Sequence, residues 1–283
     1  MPSPPSSSNT VVIICNDAQK ISRAESLQRQ MAVNQQEISC YFDVETTQFD
    51  ENTIALVFGS RGVYLQQCGP KAPGPVWSDF VGGKIGYRRQ RPHAGNGLLI
   101  KAIGCGGGMR PSVVDANAGL GQDAFVIASL GCQVVALERH PVIFALLADG
   151  IARAKQVASD GDEQLQTILD LLTISNQDSA HYLRECDSSR RPDVVFLDPM
   201  FPPRDKSAKV KKTMQLFHGV VGQDLDTDEL FDIALATAKH RVVVKRPRLA
   251  EPLAARGIVK VAPLQFSGKA VRFDVYPKKR LRQ

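Results

Sequence analysis

Two rhythms of apolar and polar positions run along the chain. Up to about residue 82 there are three apolar runs, Val11 to Cys15, Thr53 to Phe58 and Val63 to Gln67, and one amphipathic stretch from Ala18 to Val33. Short β-branched and aromatic runs predict strands, and apolar positions three or four apart predict a helix. Ser60-Arg61-Gly62 between the last two runs predicts a hairpin turn. After Arg88, Arg89 and Arg91, apolar runs alternate with helical stretches, the pattern of a parallel sheet covered by helices. Leu98 to Ile103 reads as a helix closed by the glycines of Cys105 to Pro111. Strands are predicted at Ser112 to Asp115, Gln133 to Leu137, Leu172 to Ser175, Asp193 to Leu197 and Arg241 to Lys245, several of them apolar enough to be buried on both faces. Helices fit between them at Asp123 to Leu130, Pro141 to Ala154 and Asp228 to Ala238, with Gly131 as a stop and Pro141 in a first turn. The end differs: Val259 to Leu264 and Ala270 to Tyr276 flank Phe266-Ser267-Gly268-Lys269 and predict an antiparallel hairpin. The organisation read from this is a disordered Pro/Ser-rich tail at 1–9, a small α+β domain at 10–90 and a larger α/β domain at 91–283.

Composition narrows the class. With 43% hydrophobic and 23% charged residues and no uninterrupted apolar stretch near about 18 residues, the chain reads as soluble and globular, without a membrane span. Met1 to Asn9 has neither a basic start nor an apolar core, so the expectation is a cytoplasmic protein that is not exported. Cys15, Cys40, Cys68, Cys105, Cys132 and Cys186 are scattered without ligand spacing and read as reduced thiols, so no metal is expected. The net charge of +6 and pI near 9.0 favour a polyanionic partner.

Three strand ends carry chemistry. In Val113-Val114-Asp115-Ala116-Asn117-Ala118-Gly119-Leu120-Gly121-Gln122-Asp123, a strand ends in an acid, a small-residue turn follows and a helix opens. Gly119 and Gly121 let a ligand approach the backbone and meet the helix N-terminus. In Val134-Val135-Ala136-Leu137-Glu138-Arg139 the acid ending the next strand stands where a carboxylate can accept the ribose hydroxyls of a bound nucleoside. In Asp198-Pro199-Met200-Phe201-Pro202-Pro203 an acid is followed by a stiff turn and an aromatic face. An exocyclic amine of a base is a poor nucleophile because its lone pair is delocalised, so a site that methylates it needs acceptors for its hydrogens. The Asp198 carboxylate and Pro199 carbonyl are such acceptors, and Phe201 offers a stacking face.

Basic residues crowd the same side. Lys206, Lys209, Lys211 and Lys212 follow the third motif, and Lys245, Arg246 and Arg248 follow the next strand, so phosphate contacts are expected there. The run Lys278, Lys279, Arg280 and Arg282 reads as a loose tail. His93, His140, His181, His218 and His240 share no spacing and are given no catalytic role.

The third motif resembles the Asp/Asn-Pro-Pro-Tyr/Phe signature of amino-directed nucleic-acid methyltransferases, with Met200 in place of the second proline. Asp79-Phe80-Val81-Gly82-Gly83 with Arg88-Arg89, Asp115 to Phe125, Leu137-Glu138-Arg139, Leu197 to Pro202, Lys206-Ser207-Ala208, Val210-Lys211-Lys212 and Val242 to Pro247 together resemble one family. It is the bacterial small-subunit ribosomal RNA guanine-N2 methyltransferase J family. The resemblance implies a class I methyltransferase fold, an α/β Rossmann-like sheet, mostly parallel, with a C-terminal antiparallel hairpin. It also implies transfer of a methyl group from S-adenosylmethionine, leaving S-adenosylhomocysteine, to N2 of a guanosine in 16S ribosomal RNA, as naked RNA or in the small subunit. Cofactor contacts are implied at Gln122-Asp123, Glu138-Arg139, Asp178-Ser179 and Asp198; the family has Arg-Asp at the first pair and Ser-Ser at the third. Three rival readings stay open on the residues alone: an adenine-N6 methyltransferase on DNA or RNA, a nicotinamide-dependent oxidoreductase and a noncatalytic RNA-binding protein.

Overall fold

The computed structural model of the chain describes residues 10–33, 37–70, 72–90, 96–199, 216–217, 219–221, 226–253 and 264–278, with the backbone alone at 84, 88 and 90. The chain clusters into two compact units: 1–78 with 140–150 and 201–223, and 79–139 with 151–200 and 224–283.

The first unit holds a four-stranded sheet of order β2-β1-β3-β4, built from β1 (Thr10–Cys15), β2 (Ser39–Phe42), β3 (Thr53–Gly59) and β4 (Gly62–Gln67). The strand β1 is parallel to β2 and β3, while β3 and β4 form the expected hairpin around Ser60-Arg61. Every residue of β3 is buried, as its unbroken apolar run requires of a central strand. The helix α1 (Ile21–Val33) buries Ala24, Leu27 and Met31, one stripe at helical spacing. The sequence pattern missed β2, because Ser-Cys-Tyr-Phe on a sheet edge has one half-buried and three exposed positions and no alternation to read. Asp149, 3% exposed, accepts the N–H of Val63 at 3.0 Å.

The second unit holds a seven-stranded sheet of order β10-β11-β9-β8-β5-β6-β7. Its parallel strands are β5 (Val113–Asp115), β6 (Val134–Leu137), β7 (Leu172–Ser175), β8 (Val194–Leu197) and β9 (Arg241–Pro247). The strands β10 (Leu264–Ser267) and β11 (Val271–Pro277) form an antiparallel hairpin, and β11 inserts antiparallel beside β9. That inserted last strand separates this sheet from a plain dinucleotide-binding fold. The hairpin turn lies later than expected: Phe266 pairs with Phe273 and Ser267 with Arg272, so both belong to the strand, and the chain reverses at Gly268. Residues 254–263, where most of the expected first hairpin strand falls, lie outside the described residues.

The helices of this unit include α2 (Gly83–Gln90), α3 (Gly97–Ile103), α4 (Gln122–Ser129), α6 (Glu163–Asp170), α7 (Ser179–Arg184) and α8 (Thr227–Thr237), while α5 (Pro141–Ser159) contributes residues to both units. The pattern missed α2, α6 and α7. Yet α6 carries readable signals: the Asp162 carboxylate caps it by accepting the Leu165 N–H at 2.9 Å, and Leu165, Ile168 and Leu169 are buried on one stripe. Asp162 also pairs with the buried Arg89 at 2.5 Å, which joins α6 to α2. No helix among the described residues is long and apolar enough to cross a membrane.

Candidate active site

The parallel strands of the second unit end at one edge, and their acids meet there. At β5 the register places Asp115 opposite Phe196 of β8 and Ala136 of β6, and the chain then turns away through Asn117 and Gly119. Gly119 has φ +55° and Gly121 φ +73°, left-handed conformations that glycine adopts without steric cost. A side chain at Gly119 would enter open space, with no atom within 4 Å of its Cβ, so the turn presents bare backbone to whatever lies beside it. Gly121 leads into α4, whose first turn carries Asp123 and whose Gln122 is exposed.

Glu138, at the end of β6, accepts the Gly119 N–H at 3.0 Å through Oε2 and thereby fixes the turn against the next strand. Asn176, just past β7, donates to the carbonyls of Glu138 and Arg139 at 2.7 and 3.1 Å. Ser179, 5% exposed, donates its hydroxyl to the Ala116 carbonyl at 2.6 Å, and Asp178 caps α7 through the His181 N–H at 2.9 Å. Arg139 pairs with Asp226, which precedes α8, and lies 3.9 Å from Asp178. The structure thus gathers Asp115, Gly119, Glu138, Arg139, Asp178 and Ser179 from three successive strand ends. Asn176 and Asp226 carry no motif and were not expected; an amide directly after a strand end is the only signal that pointed to the first.

A second group lies at β8 and β9. Leu197 pairs with Val244, so the next step of the ladder sets Asp198 beside Lys245. The Lys245 ammonium stands 2.7 Å from Asp198 Oδ2 and 2.5 Å from Asp123 Oδ2. Burial pushes the Asp198 carboxyl up to about 6; Lys245 opposes that rise and the like charge of Asp123 adds to it, even though 34% of the side chain is open. Asp115, 1% exposed, is raised well above the usual carboxylate range, first by burial and then by Asp123 and Asp198. Burial alone would pull Lys245 down, but the two carboxylates outweigh it and hold the ammonium charged.

This changes the expected role of two residues. β9 runs on to Pro247, past the expected end at Lys245, so Lys245 and Arg246 sit within a strand and not in a surface turn. The ammonium of Lys245 is taken up by two carboxylates, and Arg246, 8% exposed, donates to the Glu251 carbonyl. Neither presents itself to a phosphate. Pro199 is buried next to Asp198; Phe201, Lys206, Lys209, Lys211 and Lys212 lie outside the described residues. No group of three or more metal-ligating side chains occurs among the described residues.

Comparison with known proteins bears on this arrangement directly. Residues 40–278 match the SAM_MT family of SAM-dependent methyltransferases. The ribosomal RNA small subunit methyltransferase J of Thioalkalivibrio sulfidiphilus is 49% identical over 223 residues, 79% of this chain and 84% of its own. That of Pseudomonas aeruginosa is 46% identical over 234 residues, 82% of this chain and 85% of its own. A crystallised SAM-dependent methyltransferase from Neisseria gonorrhoeae is 32% identical, with a TM-score of 0.66, covering 95% of this chain and 96% of its own. The matched span takes in every acid-ended strand and the inserted C-terminal hairpin, and the chain belongs to this family of SAM-dependent methyltransferases.

Proposed function

We propose that this enzyme methylates N2 of one guanosine in 16S ribosomal RNA, with S-adenosylmethionine as its cofactor. The names of its relatives support the RNA substrate. The carrying observation is the position of Asp198 at the end of β8, held beside the first turn of α4 through Lys245. That position brings an acceptor for an amine N–H to the edge where a nucleoside cofactor binds.

The residues present fit that cofactor. The open space over Gly119 accepts a ligand against the backbone. Asn117 Oδ1 in the same turn is buried and accepts no hydrogen bond. Glu138 accepts the Gly119 N–H through Oε2, which sets its carboxylate at the strand end where ribose hydroxyls would be received. Among the described residues the Asp123 and Asp198 carboxylates share the one ammonium of Lys245, and that excess of negative charge suits a cationic ligand. Bound S-adenosylmethionine supplies a methyl group already activated on a sulfonium centre, so the protein has no need of a strong base and contributes chiefly orientation.

On this reading Asp198 and the Pro199 carbonyl accept the two hydrogens of the guanine amine, which turns its lone pair out of conjugation and aims it. Asp198 then takes the proton that the methylated amine sheds and passes it to solvent. Gly119, Gly121, Gln122, Asp123, Glu138, Arg139, Asp178 and Ser179 hold the cofactor, while Phe201 and the lysines at 206, 209, 211 and 212 meet the RNA.

The test is tritiated methyl transfer to 30S subunits and to naked 16S RNA, with the product identified by mass spectrometry. N2-methylguanosine at a single position is the expected product. Methyladenine, or incorporation into DNA in preference to RNA, would contradict the assignment.

A further inference from the structure

We propose that Lys245 is a positioning residue for methyl transfer: it holds the Asp198 carboxylate as an ionised acceptor for the substrate amine and ties it to Asp123 on the cofactor side. This rests on the reading of Asp198 as the amine acceptor given above.

The sequence places Lys245 among the phosphate-binding cations, yet the fold gives it other work. Strand pairing of Leu197 with Val244 brings Lys245 level with Asp198, and the first turn of α4 brings Asp123 to the same ammonium. One ammonium therefore links β9, β8 and α4, using one oxygen of each carboxylate, Asp198 Oδ2 and Asp123 Oδ2. Among the described residues the titratable groups around Asp198 are Asp123 on α4, Asp115 at the end of β5 and Lys245 itself. Burial and the like charge of Asp123 favour protonating Asp198, and among the described residues Lys245 is the group that opposes them.

A protonated Asp198 would donate where it must accept and would have no room for the proton leaving the methylated amine. Lys245 prevents this, and its two short contacts fix the direction of the carboxylate as well. A lysine suits the task better than an arginine, because its compact ammonium reaches two carboxylates from different elements as a point charge without a planar fork to satisfy. A phosphate-binding lysine would instead act on RNA affinity and on its salt dependence.

The experiment compares wild type, Lys245→Met, Lys245→Arg and Lys245→Gln in single-turnover methyl transfer to 30S subunits between pH 5 and 8, at saturating enzyme and cofactor. Cofactor affinity is measured in parallel by calorimetry. The proposal expects Lys245→Met to slow the step 10- to 100-fold at pH 7 and to move the acid limb of the profile up by at least one pH unit. Lys245→Arg is expected to recover most of the rate and the original limb, and Lys245→Gln to keep the fold with the limb moved up as in Lys245→Met. In an Asp198→Asn background, Lys245→Met should cost nothing further, because its effect passes through Asp198. A Lys245→Met enzyme with the wild-type rate and profile, or one impaired only in cofactor or RNA affinity, overturns the proposal. Full activity in Asp198→Asn alone would instead overturn the reading of Asp198 on which it rests.

Discussion

Two charged groupings stand on neighbouring strands of the same sheet, and they are built on opposite principles. On β11, Arg272 pairs with Asp274 through two bonds of 2.6 and 2.8 Å and donates to the carbonyls of Arg248 and Ala250 at 2.9 and 2.8 Å. One cation meets one anion, the remaining donors find carbonyls, and the side chains are 8% and 0% exposed. On β9, a single lysine faces Asp123 and Asp198 with Asp115 buried close by, and the first three of these side chains are 18 to 34% exposed. A balanced, sealed pair is what a protein builds to fix a loop, here residues 248–250 after β9. An unbalanced group left open at a strand edge keeps negative charge in reserve, which favours binding a cation and raises the carboxyl groups it cannot neutralise.

The largest effect should come from breaking the balanced pair. Asp274→Ala leaves a buried guanidinium without its counter-ion and is expected to cost about 3–5 kcal/mol of folding stability, read as a fall of roughly 10 °C in Tm. The cofactor affinity of the fraction that remains folded should be unchanged. A variant that loses cofactor binding while keeping its Tm would erase the distinction between the two groupings.

A smaller and more local effect is expected at the turn over β5. Gly119→Ala forces an L residue to φ +55°, a strain of about 1 kcal/mol, and sets a methyl group in the open space beside Glu138. Calorimetry should show roughly tenfold weaker cofactor binding. Gly161→Ala is the matched control: it has φ +115° and equally open surroundings, but lies in the turn before α6. It should show strain alone, and equal loss of cofactor binding in both variants would sink the assignment of the Gly119 space.

Much of this was legible in the sequence where one physical signal dominated. Val-Val-Asp, Val-Val-Ala-Leu-Glu and Val-Val-Phe-Leu-Asp announce buried parallel strands ending in acids, and the structure has them so. The missed elements had weaker signals: β2 is an exposed edge with three of four positions in solvent, and α7 is a six-residue helix whose only mark is the Asp178 cap. Lys245 was misread for a different reason. Its meaning depends on the ladder register that sets it beside Asp198 and on a helix turn more than a hundred residues earlier, and neither is local. Charge counts show the same limit. Residues 10–78 hold seven acidic and five basic side chains, so the positive charge of the chain resides beyond them, yet part of it is spent internally, as at Arg89, Lys245 and Arg272.

The most direct measurement is the single-turnover rate of Asp198→Asn against wild type, with S-adenosylmethionine affinity determined on the same preparations. Asparagine keeps the size and one acceptor but removes the charge that receives the proton, so the rate at pH 7 should fall about 100- to 1,000-fold, with cofactor affinity changed by less than tenfold. Wild type should itself decline as the pH drops through about 6, where Asp198 takes up a proton. A variant that methylates its RNA at the wild-type rate would show that the acid at the end of β8 is not the acceptor.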